Sequence, residues 1–247
     1  KTGMKKLCLA GGVALNSNIN AKLIGQKIVD DIFIVPASSD RGQPLGNALF
    51  GYHKINGKLL KQPLKNDYFG MEYSENNIVD ALNMSQNAHI RKFVPRINFG
   101  FRKEKNIVIA TAQLIAQGKI VGWFQGGSEL GPRALGHRSI LCDPRNPKMK
   151  NILNKRVKHR EEFRPFAPSC ILEKMQDFFD WRFSSPYMLF VVPIKKEKIN
   201  FIPSVSHIDE TARLQTVTKK ENGIFYDLIK EFGKISGIPV LLNTSFN

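Results

Sequence analysis

The chain has 247 residues, of which 42% are hydrophobic and 23% charged, with a net charge of +16 from 37 Lys and Arg against 21 Asp and Glu. That length buries a sizeable core, as one large or two ordinary domains. No apolar run is long enough to span a bilayer, and Cys8, Cys142 and Cys170 are too few and too far apart for a disulfide framework or a zinc spacing, so a reducing cytoplasm is the expected compartment. The charge favours anionic partners, namely nucleotides, phosphorylated substrates, nucleic acid or a membrane surface, without choosing among them.

The opening KTGMKKLCLAGG has neither a signal peptide's apolar stretch nor an initiator Met, and reads as the start of a piece of a longer polypeptide. Leu7–Ala10 is predicted as a strand, Gly11-Gly12 as a turn and the following VALNSNINAKLIGQKI as a helix, an order by which α/β folds bring backbone N–H groups to a nucleotide. Asp31–Val35 reads as a second, buried strand ended by Pro36. Asp40 follows in a polar loop, where it fits a ligand-binding group or a turn and N-cap residue. A helix over Gln43–Tyr52 is expected to pack through Leu45, Ala48 and Leu49. Residues 56–106 are less regular and suggest a linker with a small subdomain, including a helix capped at Ser74–Asn77.

Asn106–Gln117 is a helix stopped by Gly118, and Lys119–Gln125 a strand running into Gly126 and Gly127. Asn151–Val157 is predicted helical, Ser169–Phe179 extended and then helical, Met188–Ile194 a strand, and Lys195–Phe201 a charged loop. Ser206–Val217 is strand-like with a dense polar set. Gly223–Ile235 is an amphipathic helix closed by Gly237, and Pro239–Leu242 a last strand. The polar end NTSFN directly after that strand reads as a cut.

The stretch from Gly126 to Pro168 carries the densest chemistry. Between Arg133 and Arg164 it holds Arg133, Arg138, Arg145, Lys148, Lys150, Lys155, Arg156, Lys158, Arg160 and Arg164, opposed there only by Asp143, Glu161 and Glu162. Between them lie glycines, which let backbone approach a ligand, and prolines, which stiffen the path. Forked guanidiniums on such a backbone suit phosphate or carboxylate oxygens, because each donates two parallel hydrogen bonds. A solvated basic surface is the plain alternative.

The blocks LAGGVALNSNINAKL, DRGQPLGNAL, GWFQGGSELGPRALGHRSILCDPR, KHREEFRPFAP, HIDETARLQTV and GIPVLLNTSFN, in this order, resemble the antibiotic- and nodulation-type O-carbamoyltransferase family. The resemblance implies an α/β chain: residues 1–60 as the tail of an actin-like (ASKHA-type) ATPase module, 61–103 as a linker or small subdomain, and 104–247 as a YrdC-like domain with a twisted mixed sheet. It implies formation of carbamoyl-adenylate from ATP and carbamoyl phosphate, and transfer of the carbamoyl group to a hydroxyl-bearing acceptor, with sugars among the family's acceptors. The fragment alone is expected to be incomplete for transfer.

Carried over by motif, the resemblance assigns Arg133, Arg138, Lys158, Arg160 and Arg164 to phosphate and carbamate. Asn243, Ser245 and Asn247 are assigned to the nucleotide, and Gly11, Gly12 and Asn16 to a second nucleotide site in the first module. Asp40 matches an aspartate ligand to a divalent metal, Fe or Mg, whose histidine partners are absent. His207, Asp209, Arg213 and Gln215 are assigned to substrate, or else to a satisfied structural network. His137 reads as peripheral. Where the family's glycine loop has an arginine this chain has Gly127, and an arginine restored there is expected to reach the same anions as Arg133. The alternatives are a basic nucleic-acid-binding module, disfavoured by the lack of an aromatic stacking pattern, and a scaffold that keeps the fold without the chemistry.

Overall fold

The computed structural model describes residues 2–60, 64, 66–85 and 100–246. Two short parallel strands, β1 (Lys6–Leu9) and β2 (Asp31–Ile34), are joined through α1 (Ser17–Gly25) and followed by α2 (Gln43–Asn56). Asn16 caps α1 by accepting the Ile19 N–H at 3.2 Å, and Gly57 ends α2 at φ 62°, a left-handed position suited to glycine. Two expectations are corrected here. β2 is half exposed rather than buried, with Phe33 open to solvent. α2 buries none of its side chains, so Ala48 and Leu49 do not form a packing face. Leu49 keeps 43% of its surface exposed.

α3 (Glu75–Ser85) starts at Ser74, whose Oγ accepts the Asn77 N–H at 3.2 Å. The rest of the predicted linker lies partly outside the described residues. Beyond it, α4 (Ile107–Ala116), β3 (Val121–Phe124), β4 (Arg138–Cys142), α5 (Met149–Leu153), β5 (Ala167–Ile171), α6 (Met175–Phe178), β6 (Phe190–Pro193), β7 (Thr211–Val217), α7 (Lys219–Ser236) and β8 (Val240–Ser245) build one domain. Its six strands run in the order β3-β4-β8-β5-β7-β6, and only β5 and β7 are parallel. The α/β class and the mixed sheet agree with the sequence reading. The two-stranded unit defines no more than α/β character for residues 2–60.

Strand periodicity divides the sheet into two faces. Leu141, Ile171, Val217 and Leu241 point to one face, where α4 and α7 cover them with Ala112, Ile115, Phe225, Leu228, Ile229 and Phe232. Ile140, Cys142, Cys170, Leu214, Val240 and Leu242 point to the other, which is continuous with Ala14, Ile24, Val29 and Ile34 of the first unit. α7 is wide enough in its apolar stripe to fill its face, and it is bounded by the Thr218 N-cap and by Gly237 at φ 77°.

Candidate functional site

The helices do not cover the whole of their face. Toward the starts of β5 and β7 the same strands exchange apolar residues for Ser169, Arg213 and Gln215, and β8 contributes Asn243. Ser169 pairs with Gln215, and Ala167 with Asn243. The small Ala167 thus lies on the strand between those that carry Arg213 and Asn243. Over this region folds the glycine-rich loop after β3. Together they enclose a cavity of about 130 Å³ lined by Arg133, Arg160, Ala167, Arg213, Asn243 and Ser245, with Pro132, Pro165 and Met188 among its other walls.

Three arginines therefore share one small space, and among the described residues no carboxylate lines it. The Nε atoms of Arg133 and Arg213 are buried and without a hydrogen-bond partner. Burial lowers both guanidinium pKa values. That of Arg213 falls to about 9, through burial first and then through the charges of Arg133 and Arg160. Arg160 is aimed by a π-helical turn at Asn154–Lys158. The buried Asn154 holds Arg160 Nε at 2.8 Å through Oδ1, while its Nδ2 donates to the carbonyls of Glu162 and Arg164. The guanidinium also lies over the Phe166 ring at 4.9 Å.

A buried amide network forms the floor. Ser169 Oγ donates to Gln215 Oε1 at 2.6 Å, Gln215 Nε2 donates to the Leu135 carbonyl at 2.8 Å, and Asn243 Nδ2 donates to Ala134 O, Ser169 Oγ and Gln215 Oε1 at 3.0–3.1 Å. Gln215 and Asn243 thus tether the loop that carries Arg133. Asn243 Oδ1 is left without a partner.

The other predicted residues are not among the side chains that line this cavity, although Lys158 bonds Ser245 at its edge. Arg138 spends its guanidinium on the carbonyls of Gln125, Gly126 and His137 and stacks on Phe124 at 3.5 Å. Lys158 Nζ donates to the Ser245 carbonyl and to Ser245 Oγ at 3.2 Å, at the end of β8. Arg164 is exposed and paired with Glu161 at 2.7 Å. His207 and Asp209 close the turn before β7 through Thr211, at 3.1 and 2.6 Å to its Oγ1. Asn247 lies outside the described residues. In the first unit the Gly11 N–H donates to Ser38 O at 2.6 Å, and open space adjoins both Gly11 and Gly12. Asp40 is exposed and accepts only a long contact from Gln43, at 3.4 Å. Among the described residues no three His, Cys, Asp or Glu gather as metal ligands, so these residues do not fit a metal centre by themselves.

Two elements of the site escaped the sequence reading. Glu129 Oε1 accepts the N–H groups of Leu135, His137 and Arg138 at 2.7, 2.9 and 3.2 Å, which folds the loop around one carboxylate. It is the only acid between Gly126 and Asp143, and that isolation in a basic loop was a usable signal. A strap at residues 66–70 then packs on the loop. The Leu130 N–H donates to Asp67 O at 2.7 Å and the Gly70 N–H to Ser128 O at 3.0 Å, while Tyr68 stacks on His137 at 3.4 Å. His137 Nδ1 lies 2.8 Å from Gly127 O and Nε2 3.2 Å from Gln125 Nε2, so the buried ring supports the loop and does not line the cavity.

The strap also overturns the expectation for Gly127. A Cβ there would lie 2.6 Å from Gly70 O and 2.9 Å from Tyr68 O, both backbone atoms. An arginine at this position collides with the strap instead of reaching the anions of Arg133.

This architecture is an α/β domain with a small, arginine-lined cavity built on a polar sheet end. The chain belongs to the carbamoyltransferase family: the family model for the carbamoyltransferase C-terminus matches residues 112–247, more than half of the chain, and that for the N-terminus matches residues 1–49. It is 41% identical over 249 residues to nodulation protein NolNO of Sinorhizobium fredii, covering 100% of this chain and 35% of that protein. It is 40% identical to nodulation protein NolO of Bradyrhizobium diazoefficiens, covering 100% and 44%. Nodulation protein U of Rhizobium tropici is 34% identical, covering 99% and 39%. The chain thus spans less than half the length of these curated relatives. Among solved structures it is similar to Escherichia coli YciO (11% identity, 58% of this chain and 65% of that one, TM-score 0.40) and to full-length HypF in its phosphate- and nucleotide-bound form (16%, 88% and 32%, 0.39). Among the described residues no helix is long and apolar enough to cross a membrane.

Proposed function

We propose that this chain carries the carbamoyl-activating site of an ATP-dependent O-carbamoyltransferase, in a YrdC-like domain that follows the end of an actin-like module. The observation that carries the reading is the convergence of Arg133, Arg160 and Arg213 on one cavity without a facing carboxylate. Three guanidiniums held together in a partly dry space repel one another, and a phosphate-bearing ligand relieves that repulsion with bidentate hydrogen bonds. The volume of about 130 Å³ suits a small anion and is well below the roughly 300 Å³ at which pockets begin to enclose drug-sized ligands. Carbamoyl phosphate is the donor that fits inside. ATP lies across the mouth, past Ser245.

In this reading carbamoyl phosphate is hydrolysed to carbamate and phosphate. A carbamate oxygen then attacks the α-phosphorus of ATP, a P–O bond forms, and pyrophosphate leaves. The chain's contribution is positioning and charge neutralisation, so no protein nucleophile is needed. The carbamoyl-adenylate then gives its carbamoyl group to an acceptor hydroxyl, a sugar hydroxyl being the class we favour, and AMP leaves. A divalent metal for that second step would need ligands besides Asp40, and no step is derived through it. A cytoplasmic site of action accompanies the reading.

The test is isotope exchange with the full-length protein. Labelled pyrophosphate is expected to enter ATP only when carbamoyl phosphate is present, and Arg160→Ala to slow exchange by at least about tenfold, the order expected for a lost charge-assisted hydrogen bond. Exchange that ignores carbamoyl phosphate would refute the reading.

A further inference from the structure

Among the described residues, three of the side chains that line the cavity each carry a buried polar atom without a partner, and the three atoms are not alike. Arg133 Nε and Arg213 Nε are donors, whereas Asn243 Oδ1 is an acceptor. The orientation of the Asn243 amide follows from its surroundings. Gln215 Nε2 donates to the Leu135 carbonyl, which makes Gln215 Oε1 an acceptor. That oxygen, Ala134 O and Ser169 Oγ all lie within 3.1 Å of Asn243 Nδ2. The nitrogen belongs on that side, and the oxygen is left facing away from all three.

A buried acceptor without a donor is costly, and such groups are rare in folded proteins unless a ligand or water completes them. An inert anion satisfies only the arginines. A ligand satisfies the whole cavity when it presents both an anionic group and, within a few ångströms, an N–H donor. A carbamoyl group on phosphate or adenylate has that composition, with an NH2 beside the carbonyl. An acetyl group has the same shape with a methyl in place of the NH2, and would leave Asn243 Oδ1 unpaired.

We infer that Asn243 is the specificity residue for the carbamoyl nitrogen: its Oδ1 accepts an N–H of the ligand's carboxamide while Arg133, Arg160 and Arg213 hold the adjoining oxyanion. Asn243 thereby selects carboxamide over acyl donors. The inference rests on the reading of the cavity as the carbamoyl phosphate site. It assigns Asn243 to the carbamoyl end of the ligand rather than to the nucleotide.

Two stable phosphonates test it in the full chain by calorimetry. Phosphonoacetamide carries the NH2, and acetonylphosphonate carries a methyl at the same place. The unsubstituted protein is expected to bind the amide at least about tenfold more tightly, since a site built to accept a ligand N–H rejects an analogue that lacks it. Asn243→Ala should bring the ratio near one; the ratio and not the absolute affinity is the readout, because Asn243 also tethers the loop that carries Arg133 and its loss is expected to weaken both phosphonates.

Equal binding of the two phosphonates to the unsubstituted protein would overturn the role of Asn243 while leaving the anion site intact. So would a ratio that persists in a folded Asn243→Ala. Failure of both phosphonates and of inorganic phosphate to bind would remove the carbamoyl phosphate site itself. Because Asn243 is part of a buried network, a second measurement avoids substitution. Nitrogen-labelled phosphonoacetamide bound to the unsubstituted protein should show an amide proton protected from solvent exchange, and a freely exchanging amide would count against the assignment.

Discussion

Arg213 is held against its own charge. It lies on β7 with its Nε unpaired, and burial and the neighbouring Arg133 and Arg160 together bring its pKa down to about 9. Burial and like charge disfavour the ionised guanidinium in the ligand-free protein, and on the proposed reading a bound anion would offset both. Arg213→Met keeps much of the apolar stem and removes the charge. Replacing buried charge by apolar volume commonly stabilises by about 1–4 kcal/mol, so the ligand-free variant should melt several degrees higher, at about 2–4 °C per kcal/mol for a chain of this size. Inorganic phosphate, which should raise the melting temperature of the unsubstituted protein, should no longer do so in the variant. A melting temperature that falls while the phosphate effect persists would place the role of Arg213 in the fold rather than in the site.

The strap at residues 66–70 packs on the glycine loop through backbone hydrogen bonds and the Tyr68–His137 stack, and it contains the buried Asp67, which is 2% exposed. Burial, and next the nearby Glu129, raise its pKa from 3.8 to about 7; Tyr68 and Tyr187 are the other ionisable groups that feel its charge. In the unfolded chain the carboxyl loses its proton near pH 4, in the folded chain only near pH 7. Between these values the folded state binds the extra proton, so stability falls as pH rises, by an amount on the order of 4 kcal/mol at most. Asp67→Asn cannot ionise. It should be more stable than the unsubstituted protein at pH 8, and denaturant titrations should show the gap closing toward pH 4.

None of this strap was legible in the sequence, because its partners lie some sixty residues further along and the local pattern reads as a linker. β4 was missed for a different reason. Its RSILC has four consecutive buried positions, so it shows no alternation for periodicity to detect. α4 and α7 were legible because each carries a helical apolar stripe between a polar N-cap and a left-handed glycine. Motif resemblance marked Arg133, Arg160, Arg213, Asn243 and Ser245, which line one cavity. It also marked Arg138, Lys158 and Arg164, whose side chains turn to loop carbonyls, a strand end and Glu161. A spacing in sequence cannot tell which of two neighbouring cations points inward.

At the scale of the molecule, the first unit is joined to the sheet domain by one continuous apolar cluster and one polar bolt. Ala14, Ile24, Val29 and Ile34 share a core with Leu189, Phe190 and Val192. At its centre is Asn20, fully buried on α1, whose Nδ2 donates to Ala14 O at 2.8 Å and to Leu189 O at 3.1 Å. One amide thus closes the first unit on itself and ties it to the segment leading into β6. Leu7, Leu9, Leu15, Ala21, Leu23 and Ile32 pack against the same cluster while α2 contributes no buried side chain, so the amide is a polar tie set within an apolar junction. Asn20→Ala strands two buried carbonyls and opens a small cavity, at a cost of about 1–3 kcal/mol. The loss should fall on the junction rather than on the six-stranded sheet, whose helices α4 and α7 lie on the opposite face. Scanning calorimetry should therefore show the transition of the unsubstituted protein broadening or splitting in Asn20→Ala, with the first unit melting early and the upper transition kept. Phosphate should still raise that upper transition, because Arg133, Arg160 and Arg213 all belong to the sheet domain. A single transition that moves down as a whole would mean that the two units fold as one body and that Asn20 is an ordinary core residue.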